Sequence, residues 1–391
     1  MNKHGWTYKK LGEVCEVERG GSPRPIQQYI TDSEDGINWI KIGDAQEGSK
    51  YITSTKEKII PEGVKKSRLV HCGDFILSNS MSFGRPYILK VDGCIHDGWL
   101  VIRDEHETFM KDYLYYYLSS PTLYRIFTSL AVGGVVNNLN SKLVRNVDVL
   151  IPPKEEQEAI VAELDEINET IELLKQQVAD LDALAQSAFN TMFGDPISNE
   201  KGWEIKKLGS LCTIERGGSP RPIKDFITEA EDGINWIKIG DAKDGSIFID
   251  STAEKIKPEG MKKSRLVHKG DFILSNSMSF GRPYILRVDG CIHDGWLVIR
   301  DDNHIFDKYF LFYFLSSQNV YNEFKRLAVG GVVNNLNSSM VRALNVFVPP
   351  ITTQQEFANK VEAIESVKVE LNAQIAEMQN LLASRMDYYF D

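Results

Sequence analysis

The chain has 391 residues, 42 % of them hydrophobic and 26 % charged, with a formal charge of −10. That length fits two globular domains with connecting elements. No stretch approaches the roughly 20 apolar residues that cross a bilayer, and the opening MNKHGWTYKK lacks the apolar core of a signal peptide, so a cytoplasmic protein is expected. The five cysteines, Cys15, Cys72, Cys94, Cys212 and Cys291, are odd in number and form no CxxC pair, which predicts reduced, mostly buried thiols.

In chain order, residues 6–153 come first and return almost word for word at 203–350, a constant offset of 197. The matching blocks include ERGGSPRPI at 18 and 215, DGINWIKIGDA at 35 and 232, DFILSNSMSFGRPYIL at 74 and 271, and LAVGGVVNNLN at 130 and 327. Two such similar surfaces predict a ligand that is itself repeated or symmetric. Within each copy, INWIKIGD, DFILSNS, YILKVDG and WLVIRD read as short strands bounded by Gly and Asp. MKDYLYYYLSSPTLYRIF reads as an amphipathic helix broken at Pro121. Each copy is therefore expected to be an α+β domain.

After each copy the period changes. Ile160, Leu164, Ile167, Ile171, Leu174, Val178 and Leu181 step by 4 and 3 alternately, the seam of a coiled coil. Phe357, Val361, Ile364, Leu371, Ile375 and Met378 repeat the pattern, interrupted by Lys368. Each run follows a Pro-Pro pair, Pro152-Pro153 or Pro349-Pro350, that fits an extended entry into a helix. The first helix leaves the first copy and delivers the chain to the second, so burying both seams together requires the second helix to run back, antiparallel. RMDYYFD at 385–391 would then sit on the first copy as AFNTMFGD at 188–195 sits on the second. The expected layout is circular and pseudo-two-fold: one domain at 1–153, a helical spacer at 154–195, a second domain at 196–350 and a second helix at 351–391. Acid collects in the helices, with 12 acidic against two basic residues at 154–200 and seven against three at 351–391, which leaves the two copies at +4 together. Such a mild positive balance permits phosphate contact without announcing it.

No Walker A loop, GxGxxG, HExxH, zinc-spaced His/Cys cluster or GxSxG occurs, so neither catalysis nor a bound metal is expected. His96-Asp97 and His293-Asp294 look like dyads, but neighbours in a strand point to opposite faces, which favours structural histidines. Recognition chemistry is better supplied. GGSPRPI holds Arg24 and Arg221 in a Gly/Pro-shaped loop, either as a donor for guanine or phosphate or as the partner of a nearby acid. KKSR places Lys65, Lys66 and Arg68, and again Lys262, Lys263 and Arg265, in a basic cluster suited to phosphate or simply solvated. SNSMSFGRP carries Asn79, Ser80, Ser82 and Arg85, with Asn276, Ser277, Ser279 and Arg282 in the second copy. GGVVNNLN adds Asn137 and Asn138, with Asn334 and Asn335. Asn and Arg read adenine and guanine edges; equally, Asn shapes turns.

The ordered set of WxxxxLG, GGSPRPI, WIKIGD, GDFILSxxxxxGRP, a glycine-led loop at 133–140 and IPPKEEQEAIVAEL, occurring twice, resembles the DNA specificity (S) subunit of type I restriction-modification systems over essentially the whole chain. The resemblance implies two target-recognition domains separated by two antiparallel helices, and no catalysis in this chain. It also implies docking of two adenine-N6 methyltransferase subunits that use S-adenosylmethionine, and of endonuclease/translocase subunits that use ATP and Mg. Gln157, Ile160, Leu164 and Ile167, with Gln354, Phe357, Val361 and Ile364, are the residues expected to serve that docking. The second copy's PPITTQQEF keeps only Gln354 of the PPKEEQEAI pattern, so the two docking ends are expected to differ. Family members often read two dissimilar half-sites, whereas two near-identical readers related by a two-fold imply an interrupted palindrome. The alternatives are a scaffold with duplicated heads on a coiled-coil spacer, and the recognition subunit of a combined restriction-methylation enzyme.

Overall fold

A computed structural model describes residues 5–391 apart from 47, 80–83, 133–137, 244, 277–279 and 329–334. Two compact units divide the chain, Met1–Lys175 with Ala373–Asp391 and Gln176–Asn372. The first contains β1 (Thr7–Lys10), α1 (Leu11–Val14), β2 (Glu16–Arg19), β3 (Ile30–Thr31), β4 (Ile37–Ile40), β5 (Tyr51–Ile52), β6 (Glu57–Ile59), α2 (Pro61–Val64), β7 (Arg68–Val70), β8 (Phe75–Ser78), β9 (Pro86–Leu89), β10 (Gly93–Ile95), β11 (Trp99–Arg103), α3 (Lys111–Ser119), α4 (Pro121–Val132), α5 (Ser141–Arg145) and β12 (Asp148–Ile151). Helix α6 (Lys154–Phe193) then crosses from this unit into the next.

Alternation along β11 explains the layering. Trp99 and Val101 point one way, into a core shared with Ile40, Ile76 and Ile95. Leu100 and Ile102 point the other way, into a second core with Val17, Leu77 and the helices. Strands buried on both faces in this manner belong to the middle of a layered domain. One five-stranded sheet runs β2-β11-β8-β9-β5 and the other β3-β6-β4-β10-β7, with β1 and β12 forming a separate ribbon. Among the described residues of this unit, only β4–β10 and β5–β9 are parallel. The outer face of the second sheet carries Trp39, Ile59 and Cys94. The helix pair expected across Pro121 is α3 and α4, and Ser120 separates them by accepting the Leu123 N–H at 3.2 Å on its hydroxyl.

The second unit repeats both sheets in the same order. Its helices are α7 (Leu208–Leu211), α8 (Lys308–Ser316), α9 (Gln318–Ala328) and α10 (Ser338–Arg342), and α11 (Ile351–Phe390) starts in it and ends in the first unit. Helices α6 and α11 are 40 residues each. Within the second unit Lys368 bonds Asp182 at 2.6 Å, while Phe357 lies 5.6 Å from Phe189 and 5.5 Å from Phe193. Numbers rise on one helix as they fall on the other, so the pair is antiparallel. The charged interruption at Lys368 sits inside this seam, 7 % exposed and held by Asp182 and Glu365. In the first unit Arg385 and Tyr389 of α11 clasp Glu163 of α6. Phe390 packs 5.8 Å from Tyr113 and 5.3 Å from Tyr117, and Phe193 packs 4.8 Å from Phe310, the residue equivalent to Tyr113. The C-terminal turn therefore occupies on one unit the place that the end of α6 occupies on the other.

The four thiols Cys15, Cys94, Cys212 and Cys291 are buried, Cys72 is exposed, and none is bridged. The residues expected to dock partners are instead buried: Ile160, Leu164, Ile167, Phe357 and Val361 lie at 0–6 % exposure, Ile160 and Leu164 in the first unit's core and Phe357 and Val361 in the second unit's, against which Ile364 packs. Gln157 and Gln354 are wholly buried. The Gln157 amide donates to the carbonyls of Pro152 and Thr108 at 3.0 and 3.2 Å, and its Oε1 accepts the Met110 N–H at 2.7 Å. Gln354 repeats this with Pro349, Ile305 and Asp307. Both glutamines thus lock the start of a long helix to the turn before α3 or α8, although the residues around them differ. Removing such a buried donor and acceptor costs about 1–3 kcal/mol. Gln157→Ala is accordingly expected to lower the thermal midpoint of the isolated chain, before any partner is added. An unchanged midpoint with weakened partner binding would restore the docking role.

Candidate nucleic-acid interface

The GGSPR loop is possible only because it begins on two glycines. A Cβ on Gly20 would stand 2.0 Å from the His96 carbonyl oxygen, and one on Gly21 would stand 2.9 Å from that of Lys66. The backbone crosses there against the β10–β11 turn, with Gly20 N–H donating to Trp99 and Gly21 N–H to Ile95. Ser67 ties the KKSR segment to the same turn through its hydroxyl, 3.0 Å from the Ile95 carbonyl. Three blocks distant in sequence therefore meet at one turn, whose tip is Asp97.

Asp97 gathers the donors. Its carboxylate accepts the Ser22 hydroxyl at 2.5 Å and the Arg24 guanidinium at 3.5 Å, and its main-chain carbonyl accepts Arg19 Nε at 3.0 Å and Asn79 Nδ2 at 2.9 Å. The second unit repeats the set around Asp294, from Ser219 at 2.6 Å, Arg221 at 3.3 Å, Arg216 at 3.0 Å and Asn276 at 2.9 Å. The Ser22 hydroxyl, ahead of His96 and Arg19, holds the Asp97 carboxyl below the usual carboxylate range, and Ser219 does the same for Asp294. Arg24 and Arg221 pair with an acid and still present 81 % and 79 % of their side chains to solvent. They are oriented donors at the surface.

The other expected readers separate. Asn79 and Asn276 are 1 % exposed, which corrects their reading as base readers. Besides its bond to Asp97, Asn79 takes the Leu139 N–H on its main-chain carbonyl at 3.0 Å and gives its own N–H to Gly98. It anchors loops and offers no edge to a base. Ser80, Ser82, Asn137, Ser277, Ser279 and Asn334 lie outside the described residues. Asn138 is half-buried and Asn335 exposed, while Asn140 and Asn337 cap α5 and α10. Arg85 and Arg282 are exposed on a separate patch; Arg85 lines a hollow with Tyr87, Tyr115 and Tyr124. In the basic cluster Lys65, Lys66, Lys262 and Lys263 are exposed. Lys66 donates to the Tyr29 hydroxyl at 2.6 Å, Arg68 pairs with Glu18 at 2.9 Å, and Arg265 pairs with Glu215 at 3.1 Å.

Beside Arg24 opens a cleft of about 1140 Å³, lined among others by Ile26, Trp39, Lys41, Glu57 and His96; its counterpart beside Arg221 measures about 780 Å³. Lys41 and Glu57 form an ion pair across it. The sequence carried no sign of Arg19, Lys41, Glu57 or Asp97 as members of one site, since they come together only when the sheets form. WIKIGD, which holds Lys41, reads in the sequence as a strand and as one motif of the family resemblance, with no role for the lysine itself. An aromatic floor, paired charges and an oriented arginine suit the polar edges of bases and the phosphates beside them.

His96 lies with Asp97 in the β10–β11 turn, its Nδ1 3.7 Å from the Asp97 carboxylate, and not on the opposite face of a strand as expected; its surroundings are those of a structural residue. Its ring stands between Trp39 and Trp99, and Nε2 and Nδ1 face the N–H groups of Ile42 at 3.1 Å and Gly98 at 2.8 Å. A neutral ring has one lone pair for these donors and an imidazolium has none. Burial, against the opposing pull of Asp97, keeps the ring's pKa below that of a free histidine, and His293 behaves alike. The unfolded chain thus takes up protons that the folded chain resists. The stability due to both histidines is complete above the free-histidine pKa near 6.5 and is lost as pH falls below it. Thermal melts at pH 7.5 and 5.5 are expected to show a lower midpoint at pH 5.5, with the difference reduced in His96→Gln plus His293→Gln.

Among the described residues no group of His, Cys, Asp and Glu is placed to hold a metal ion, and no helix is long and apolar enough to cross a membrane. The chain matches the type I restriction modification DNA specificity domain at residues 3–183 and again at 200–378. It is similar to the type I restriction enzyme MjaIX specificity subunit of Methanocaldococcus jannaschii, 24 % identical and covering 96 % of this chain and 90 % of that protein. It is also similar to the EcoBI specificity subunit of Escherichia coli, 22 % identical over 97 % of this chain and 84 % of that one. Its fold is shared with a chain from a structure of the assembly and conformational transition of the type I R-M system, with a TM-score of 0.62 at 19 % identity and coverage of 99 % and 97 %. The type I S subunit from M. genitalium gives a TM-score of 0.51 at 13 % identity, covering 99 % and 96 %. With a matching domain in each repeat and Arg24 and Arg221 presented alike, the chain belongs to the type I restriction-modification DNA specificity family, whose members recognise DNA and are not catalytic.

Proposed function

We propose that the Asp97 and Asp294 faces are the DNA-reading surfaces of this specificity subunit, and that they read inverted copies of nearly one half-site. The observation that carries this reading is the distribution of identity between the repeats. Residues 18–26 match 215–223 without a change, and 73–104 match 270–301 with Lys90/Arg287 as the single difference. The face at 105–130 has meanwhile drifted, as in MKDYLYYYLSSPTLYRIF against DKYFLFYFLSSQNVYNEF. The copies have had room to diverge, and what remains unchanged includes the loops around Asp97 and Asp294, together with the buried strands that carry them and the segments 35–45 and 130–140 with their counterparts. Arg24 and Arg221 then supply base or phosphate contacts, and the KKSR lysines phosphate contacts.

Two methyltransferase subunits using S-adenosylmethionine, and endonuclease/translocase subunits using ATP and Mg, would be the partners. They would dock on outward helix surfaces, where Leu173, Leu184, Val367 and Val369 are exposed, and not on the buried seam. The test is genome-wide mapping of N6-methyladenine in cells making this chain with its methyltransferase subunit. An interrupted, near-palindromic motif is expected, lost or relaxed by Arg24→Ala plus Arg221→Ala while the complex still co-purifies. Two unrelated half-sites would remove the symmetric reading, and an unaltered motif in the variant would remove the arginines.

A further inference from the structure

The two clefts differ at one lining position. Each residue that lines the first has its counterpart lining the second at an offset of 197, with identical chemistry, except that Gln27 in the first is Lys224 in the second. Both are exposed, three residues beyond the oriented arginine, in short 3-10 turns of Ile26–Gln28 and Ile223–Asp225. The turns are entered with matching backbone angles, φ −71° and ψ 134° at Pro25 against φ −70° and ψ 134° at Pro222, so only the side chain changes. The next difference, Gln28 against Asp225, lies outside both linings. Tyr29 against Phe226 alters how the lysine above it is held, a contact suited to phosphate and hence neutral to sequence.

A glutamine amide presents a donor and an acceptor together, the complement of adenine N6 and N7, whereas an ammonium presents donors only and suits guanine O6 and N7. Resting on the reading of these clefts as DNA-facing, we infer that Gln27 and Lys224 are specificity-determining residues. They make the two half-sites inverted copies of each other except at one base pair, adenine-preferring in the half read by the first unit and guanine-preferring in the half read by the second.

The experiment is methylation mapping with the full chain and its methyltransferase partner, for the natural protein, for Gln27→Lys and for Lys224→Gln. Each substitution installs a residue the equivalent position already accommodates, and co-purification with the partner reports folding. The natural motif is expected to depart from a palindrome at one position. Gln27→Lys should shift that position in one half toward guanine, Lys224→Gln should shift the other half toward adenine, and each should make the motif symmetric. The preference between the two bases should change by roughly 10- to 100-fold at that position and not elsewhere. A strictly palindromic natural motif, or variant motifs identical to the natural one, would overturn the inference and leave the near-identical half-sites standing. Half-sites unrelated along their whole length would overturn the parent reading, and this inference with it.

Discussion

Asp97→Ala combined with Asp294→Ala is expected to collapse the ratio of specific to non-specific DNA affinity without unfolding either unit. The two carboxylates hold the Ser22 or Ser219 hydroxyl and the Arg24 or Arg221 guanidinium, and removing them frees the tip of the loop. The anchors to the main-chain carbonyl, from Arg19 and Asn79 and from Arg216 and Asn276, stay in place, which preserves the fold. Loss of one oriented reader costs about 1–3 kcal/mol of discrimination per half-site, so the ratio should fall by roughly 10- to 100-fold for each. Non-specific affinity should hold or rise, because a negative charge leaves each phosphate-facing surface. Titration of the methyltransferase complex with cognate and scrambled duplexes at fixed salt measures both quantities. A preserved ratio would take Asp97 and Asp294 out of recognition.

Phe390→Ala carries the second large effect, on stability. The ring is 2 % exposed at the edge of Tyr113 and Tyr117, in the same core as Ile160, Leu164 and Met386. Truncating a buried phenylalanine costs about 3–5 kcal/mol, a large share of the stability of one domain. Phe193→Ala should cost a similar amount in the second unit, where the ring touches Phe310 and Phe357. Hydrogen exchange separates the two: Phe390→Ala should accelerate exchange in α3 and leave α8 as it was, and Phe193→Ala should do the reverse. Equal acceleration in both helices for either variant would show that these rings are not local anchors.

The long helices were legible because a 4-3 apolar step sustained over seven positions, Ile160 to Leu181, has few other solutions; burial follows it from Ile160 to Ile171, and in the second run Phe357, Val361 and Leu371 are buried. Chain connectivity then required the antiparallel pairing. Strands such as β3 and β5, of two residues each, were not legible, since a pair of residues carries no period. Identity between repeats pointed to the loops that matter, but not to what each residue does in them. An asparagine reads a base only if its amide reaches solvent, and Asn79 spends its amide on Asp97. Gln157 was expected to meet a partner and instead satisfies three buried backbone groups.

By itself the sequence determined that there are two copies of one domain, that each is followed by a helix with a single apolar seam, and that Arg24 and Arg221 stand in a backbone shaped by Gly and Pro. Those are local or periodic properties, written in composition and spacing. Tertiary structure decided that Asp97 and Asp294 collect hydroxyl, guanidinium and amide donors from segments 18 to 78 residues away, and that Trp39, Lys41 and Glu57 share a cleft with Arg24. Such groupings depend on sheet order and on which side of a layer each residue is buried, and neither follows from neighbours in the chain.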